Sequence, residues 1–213
     1  MKKKVSIIDY GLGNLFSVKQ ACETVGLDAL ITASPEDILN SDMLILPGVG
    51  AYGIAMENLE KTQLIPTLKA FVSTGKPFVG ICLGMQLMLT ESVEFGHYKG
   101  LNLIPGKTKK FEFKSIDEEC FAVPQIQWNQ LKKTSVIQQG HLFDFINDGD
   151  YMYFVHSFYC VPEYREMIIT TTNYAGVEYP SIIQHENCIG IQFHPEKSGA
   201  NGIEIYKKLK QLI

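Results

Sequence analysis

Phe78-Val79-Gly80-Ile81-Cys82-Leu83-Gly84-Met85-Gln86 begins as an apolar run, turns at a cysteine and continues in helical character, with glycines two positions before and two after the cysteine. Residues 78–81 have the uninterrupted apolar character of a strand covered on both faces, and a helix is expected from about Gly84. A nucleophile projected from a sharp strand-to-helix turn needs small neighbours where the backbone folds back on itself, the logic of the Gly-x-Ser-x-Gly turn. At a helix N-terminus the sulfur also meets unpaired N–H groups and a favourable dipole, which favour thiolate and can hold an oxyanion. Both effects serve acyl transfer, so Cys82 is the candidate nucleophile. Cys22, Cys120, Cys160 and Cys188 lack this pattern and are expected to pack as small apolar side chains.

Upstream, the chain alternates strands and helices. Residues 5–8 form an apolar run, Gly11-Leu12-Gly13-Asn14 breaks it, and Leu15, Val18, Ala21, Cys22 and Val25 then recur at helical spacing before Gly26. Ser34-Pro35 reads as an N-cap and first turn; residues 43–46 read as a second buried strand, stopped by Pro47-Gly48. Leu59, Leu64, Leu68 and Val72 keep helical spacing up to the turn Gly75-Lys76-Pro77. Such repeated units imply an α/β fold with a mainly parallel central sheet flanked by helices. From Gly106 onward, β-rich runs at 109–113, 151–160, 168–172 and 189–193 suggest antiparallel strands added to that core. A last helix is expected over 202–212, with Ile203, Tyr206, Leu209 and Leu212 packed inward. Residues 1–213 read as a single domain.

Composition excludes several classes. The 213 residues are 46% hydrophobic and 20% charged, enough for a full core. A net charge of −4 offers no basic field for nucleic acid, and Lys2 to Lys4 read as a solvated stretch. The apolar run after them is shorter than a signal peptide's core, and no stretch reaches the length of a membrane span. Five scattered cysteines without a CxxC pair argue against a disulfide framework or a structural zinc site and for a reducing cytoplasm.

A thiol that attacks an amide needs a general base, and the base needs a carboxylate to fix its tautomer. Gly190-Ile191-Gln192-Phe193-His194-Pro195-Glu196-Lys197-Ser198 supplies both in His194 and Glu196, two positions apart after an apolar run. Pro47-Gly48-Val49-Gly50 follows a strand at the sheet edge where parallel sheets place their sites. Its backbone N–H groups, that of Val49 above all, are expected to join the N–H of Leu83 as an oxyanion hole. His97, His141 and His185 have no comparable spacing; His156 is expected to orient a loop without touching the reaction.

Pro-Gly-Val-Gly, Gly-Ile-Cys-Leu-Gly-Met-Gln and Gln-Phe-His-Pro-Glu stand in an order that resembles the class I, or triad, glutamine amidotransferases, with their flavodoxin-like fold. The opening Asp9-Tyr10-Gly11-Leu12-Gly13-Asn14-Leu15, the run Tyr153-Phe154-Val155-His156-Ser157-Phe158 and the ending His194-Pro195-Glu196-Lys197-Ser198 narrow the resemblance to the glutaminase subunits of imidazole glycerol phosphate synthase. It covers essentially the whole chain. It implies that Cys82 forms a glutamyl thioester, that His194 and Glu196 complete a triad, and that no cofactor or metal takes part. L-glutamine is then the substrate, and ammonia passes to a cyclase subunit of (β/α)8-barrel fold in a heterodimer of histidine biosynthesis. Gln86 and Glu94 match positions that bind the amino-acid end of glutamine, with Gly50, Ser157 and Phe158 contributing; a carboxylate such as Glu94 suits an α-ammonium group. Asn14, Trp128 and Lys197 match the partner-facing mouth.

One stretch departs from that pattern. The histidine-pathway subunits read Val-Pro-His-x-Gly-Trp-Asn, whereas this chain has Val123-Pro124-Gln125-Ile126-Gln127-Trp128-Asn129. Gln127 adds a side chain where glycine is free, and Gln125 cannot carry histidine's charge, which bears on the partner surface. A paralogous pair that supplies ammonia to the amidation of a nucleotide-linked sugar for surface polysaccharide is the alternative. Outside that class stand a non-catalytic binding subunit and a cysteine peptidase or other α/β cysteine hydrolase.

Overall fold

The structure, a computed structural model, describes residues 2–112 and 122–213. The expected positions Phe113 and Cys120 lie outside the described residues. In chain order the first half comprises β1 (Lys4–Ile8), α1 (Leu15–Thr24), β2 (Asp28–Thr32), α2 (Pro35–Leu39), β3 (Met43–Gly48), α3 (Tyr52–Lys61), α4 (Ile65–Val72), β4 (Phe78–Cys82) and α5 (Leu83–Leu87). The second half adds β5 (Leu89–Ser92), β6 (Tyr98–Lys99), β7 (Ile104–Lys110), β8 (Gln125–Gln130), β9 (Lys132–Lys133), β10 (Tyr151–His156), β11 (Phe158–Pro162), β12 (Ile168–Tyr174), β13 (Val177–His185), β14 (Cys188–Ile191) and α6 (Gly199–Lys210).

The central sheet runs β2-β1-β3-β4-β14-β13-β12-β9. Its first five strands are parallel, and β13, β12 and β9 continue it antiparallel. The parallel part has the 2-1-3-4-5 order of flavodoxin-like folds, with β14 as its fifth strand. Alternation along each strand divides two apolar layers. Val5, Ile7, Met43, Ile45, Val79 and Ile81 face one side with α1 and α6, while Ile8, Leu44, Leu46 and Phe78 face the other with α3 and α4. Burial on both sides is why these strands read as unbroken apolar runs. Each fully buried aliphatic side chain adds about 1.5–3 kcal/mol.

Local chemistry sets the ends. Ser34 Oγ accepts from the Asp37 N–H at 3.4 Å with Pro35 as the first residue of α2, and Gly26, at φ +80°, follows the end of α1.

Several expectations are corrected. β2 is an additional strand: it lies on the sheet edge and is only partly buried, so it has no unbroken apolar run. The helical spacing from Leu59 to Val72 belongs to two helices, separated at Gln63 with φ +54°. Residues 151–160 break at Ser157, so that β10 pairs with β8 in a two-stranded sheet while β11 joins β7 in another. The run expected over 189–193 is β14, a parallel neighbour of β4 rather than part of the antiparallel addition. In α6 the buried positions are Gly202, Ile205, Tyr206 and Leu209, with Ile203 only partly covered; Leu212 lies beyond the end of the helix and is exposed. Among the described residues no helix is long and apolar enough to cross a membrane.

Candidate active site

Cys82 ends β4 with φ +53° and ψ −110°, the sharp strand-to-helix turn that its glycines announced. A Cβ on Gly84 would fall on the Leu46 carbonyl oxygen, and one on Gly80 would meet Met88 Sδ at 2.5 Å and the Gly84 carbonyl carbon at 2.7 Å. Hydrogen at Gly84 lets the turn lie against β3, and hydrogen at Gly80 lets α5 fold back over β4. α5 is only five residues long, so the support expected from a helix dipole reduces to the N–H groups of a single turn.

β14 brings the second group to the same edge. His194 follows it, and a short 3-10 turn, Pro195–Lys197, folds Glu196 back so that Oε1 lies 2.8 Å from His194 Nδ1, both side chains buried. Around them, the Tyr153 carbonyl accepts from the His194 N–H at 2.9 Å, and Ser198 Oγ donates to the His194 carbonyl at 2.7 Å. Burial alone opposes an imidazolium, yet Cys82 on one side, through charge and a hydrogen bond, and Glu196 on the other outweigh it and hold His194 up at about 10. Burial pushes the thiols of Cys22 and Cys188 up to about 12 and that of Cys160 well above its ordinary value, so these three stay protonated and inert.

Cys82, Leu83 and His194 share one cavity of about 200 Å³ with Val49, Gly50, Gln86, Glu94, Ser157 and Phe158, together with Pro124, Val155 and His156. That is below the ~300–1,000 Å³ of pockets for drug-sized ligands and suits an amino acid. Gln86 Nε2 donates to the Phe158 carbonyl at 2.9 Å, tying α5 to the Ser157 break. Glu94 is buried, which raises its pKa, while the Tyr52 N–H bonded to Oε2 at 2.8 Å counteracts part of that shift. An α-ammonium group beside it would favour the charged carboxylate further. Residues 48–51 are held at both ends: Tyr10 donates its hydroxyl to the Pro47 carbonyl at 2.9 Å, and Glu94 fixes Tyr52. Gly50 between them has φ +103°.

Two contributors carried no role in the sequence reading. Tyr10 is one. Gln192 is the other: fully buried, it donates from Nε2 toward Cys82 Sγ at 3.9 Å and accepts at Oε1 from Gln86 Nε2 at 3.3 Å. The signal available was position, because Gln192 precedes His194 by two residues and so shares its face of the chain. Among the described residues no group of three or more His, Cys, Asp or Glu side chains could hold a metal ion.

A profile of the class-I glutamine amidotransferase family matches residues 6–209. The chain belongs to the class-I glutamine amidotransferases. Imidazole glycerol phosphate synthase subunit HisH of Geobacter sulfurreducens is 44% identical over 210 residues, spanning 98% of this chain and 99% of its own. The HisH subunit of Chlorobaculum tepidum is 40% identical over 207 residues, spanning 97% and 99%. Among solved structures, PurLQS from Thermotoga maritima superposes with a TM-score of 0.70 at 19% identity, covering 100% of this chain and 98% of that one. A further glutamine amidotransferase does so at 0.70 and 15%, covering 98% and 97%. At such identities the structures share the fold.

The remaining positions of this amidotransferase divide between surface and interior. Trp128 is half exposed on β8, edge-on to Tyr153 of β10 with ring centroids 6.0 Å apart, Lys197 is exposed and Asn14 is partly exposed at the start of α1. The departures from the histidine-pathway pattern fall on both sides: Gln127 is exposed, but Gln125 is fully buried and accepts from the Tyr179 hydroxyl at 2.9 Å.

His156 donates from Nδ1 to the Phe158 carbonyl at 2.8 Å and so spans the Ser157 break, while also lining the cavity. Burial lowers its pKa from 6.5 to about 4, with the His194 charge adding to that shift and the Phe158 carbonyl opposing it. The folded chain therefore holds His156 neutral where the unfolded chain protonates it. Stability on this account is full above pH 6.5 and is lost as the pH falls toward 4, by roughly 3 kcal/mol. Urea midpoints across that range should fall less steeply in His156→Gln than in the parent; equal slopes would contradict the neutral buried ring.

Proposed function

We propose that this chain is the glutaminase subunit of an imidazole glycerol phosphate synthase. It hydrolyses glutamine and passes the ammonia to a (β/α)8-barrel cyclase in the cytoplasm, for histidine biosynthesis. The chemistry rests on one observation: Cys82, on its positive-φ turn, shares a cavity with His194, whose Nδ1 is bonded to the Glu196 carboxylate behind it. The pathway rests on HisH relatives 40–44% identical over nearly their whole length.

The Cys82 thiolate attacks the side-chain amide carbon of glutamine, and the carbonyl oxygen takes the electron pair beside the N–H groups of Leu83 and Val49. Collapse breaks the C–N bond as His194 gives its proton to the leaving nitrogen. Water then attacks the thioester, His194 takes its proton, and glutamate leaves as the C–S bond breaks. Glu196 holds the imidazole throughout. Glu94 and Gln86 hold the amino-acid end, and the face carrying Asn14, Trp128 and Lys197 receives the partner.

The test is glutamate release by the chain alone, with a histidine-pathway cyclase, and with the cyclase loaded with its nucleotide substrate. Low activity alone and stimulation of at least about tenfold by the loaded partner are expected, with loss of both in Cys82→Ala. Gln127 on the exposed face of β8 favours a second reading, the amidation of a nucleotide-linked sugar. Cys82 labelling by a glutamine-derived electrophile without stimulation by the cyclase would select it.

A further inference from the structure

The Gln192 carboxamide lies between the nucleophile and a residue of the glutamine pocket. It is fully buried, with Nε2 directed at Cys82 Sγ and Oε1 receiving Gln86 Nε2. Its orientation is determined by that neighbour. Gln86 presents an NH2 group, which donates to the Phe158 carbonyl and to Gln192 Oε1, so a reversed Gln192 would set two NH2 groups against each other and its oxygen against the sulfur. Main-chain bonding fixes the strand as well, since the Gln192 N–H donates to the Ser181 carbonyl at 2.9 Å.

We propose that Gln192 is a catalytic residue that donates a hydrogen bond to the Cys82 sulfur and is turned to do so by Gln86, joining glutamine recognition to the nucleophile. This rests on the reading of Cys82 as the nucleophile. A neutral donor favours thiolate over thiol because the bond to a charged sulfur is the stronger one. It does so without a second cation that would compete with His194 for the reaction's proton. Gln86 contacts both the Phe158 carbonyl and Gln192, so glutamine that displaces the Gln86 amide also resets the donor at the sulfur.

The other titratable groups facing Cys82 are His194, Tyr10 of the β1 end and Cys160 of β11, with Glu94 and His156 across the cavity. All are unchanged in Gln192→Met, which keeps the length of the side chain and removes the donor. The experiment follows alkylation of the Cys82 peptide by iodoacetamide against pH, by mass spectrometry, in the full chain. In Gln192→Met the pH of half-maximal alkylation should rise by about one unit, a rate about tenfold lower on the acid side, with the alkaline plateau unchanged. Gln86→Met should shift the profile in the same direction, because Gln192 is then free to turn over. It should also raise KM for glutamine.

A folded Gln192→Met whose profile superposes on the parent's overturns the proposal. A fall of the plateau itself also overturns it, since that reports distortion rather than a lost donor. Should Gln192→Met not fold, a parental profile in Gln86→Met overturns it equally. Glutamate release is measured alongside: a shifted profile in a chain that does not hydrolyse glutamine supports the contact and removes the glutaminase reading.

Discussion

Exchanging His194 for asparagine is expected to slow glutamine turnover by roughly a thousandfold, within the range for loss of a general acid and base. The size follows from the two uses that the proposed mechanism makes of it. In the free enzyme the Cys82 sulfur and the Glu196 carboxylate outweigh burial and hold His194 up at about 10, so an acid for the departing ammonia is already in place. Once the sulfur is acylated its charge is gone, the largest support for the imidazolium goes with it, and the ring becomes a base for the water step. Acylation by a glutamine-derived electrophile should therefore persist through neutral pH and fall as the pH rises through about 10. A fall near 6.5 would show that the pair with Cys82 does not form. The same shift bears on stability. A histidine held above its unfolded value stabilises the fold fully below pH 6.5, and that contribution is lost as the pH rises through about 10. Melting temperatures of the parent and of His194→Asn should converge at the alkaline end.

What the sequence made legible follows the reach of each signal. The turn at Cys82 was readable because its requirement is local: two glycines at fixed offsets and an apolar strand in front. Pairing of His194 with Glu196 was readable for the same reason, since two residues of separation and a proline fix their geometry. β2 and β8 were not, because partly exposed edge strands carry few buried positions and thus little periodicity. The break at Ser157 was also hidden, since a change of sheet partner leaves the β-rich composition of residues 151–160 intact. Gln192 illustrates another limit. Its role depends on Gln86, more than a hundred residues earlier in the chain, and only the parallel pairing of β4 with β14 brings the two together. The Gln125 departure looked like a change of surface charge; burial against Tyr179 makes it a change of interior hydrogen bonding.

Gly84→Ala is expected to do more harm than alanine at any other glycine of this chain. The new Cβ would overlap the Leu46 carbonyl oxygen, a backbone atom of β3 that has no rotamer to escape into. Relief requires α5 to lift away from the sheet or β3 to bend. β3 cannot bend freely: it pairs with β1 on one side and with β4 on the other, and all six of its residues are buried. α5 cannot lift without dragging Leu83, Met85 and Leu87 out of a layer where each is almost fully covered. Overpacking of this kind costs about 1–3 kcal/mol where side chains give way, and more where main chain must move. A loss of about 3 kcal/mol or more is therefore expected, read as a large drop in the urea midpoint or as insoluble protein. Whatever fraction folds should have its elbow displaced, so that Leu83 and Cys82 no longer meet the loop at Val49, and glutamate release should fall further than the folded fraction does. Gly75→Ala is the contrasting control. Its Cβ meets nothing within 4 Å, so its φ of +77° is the one source of strain, and it should cost about 1 kcal/mol with turnover per folded molecule unchanged. Equal behaviour of the two variants would mean that the close approach of α5 to β3 does not shape the site.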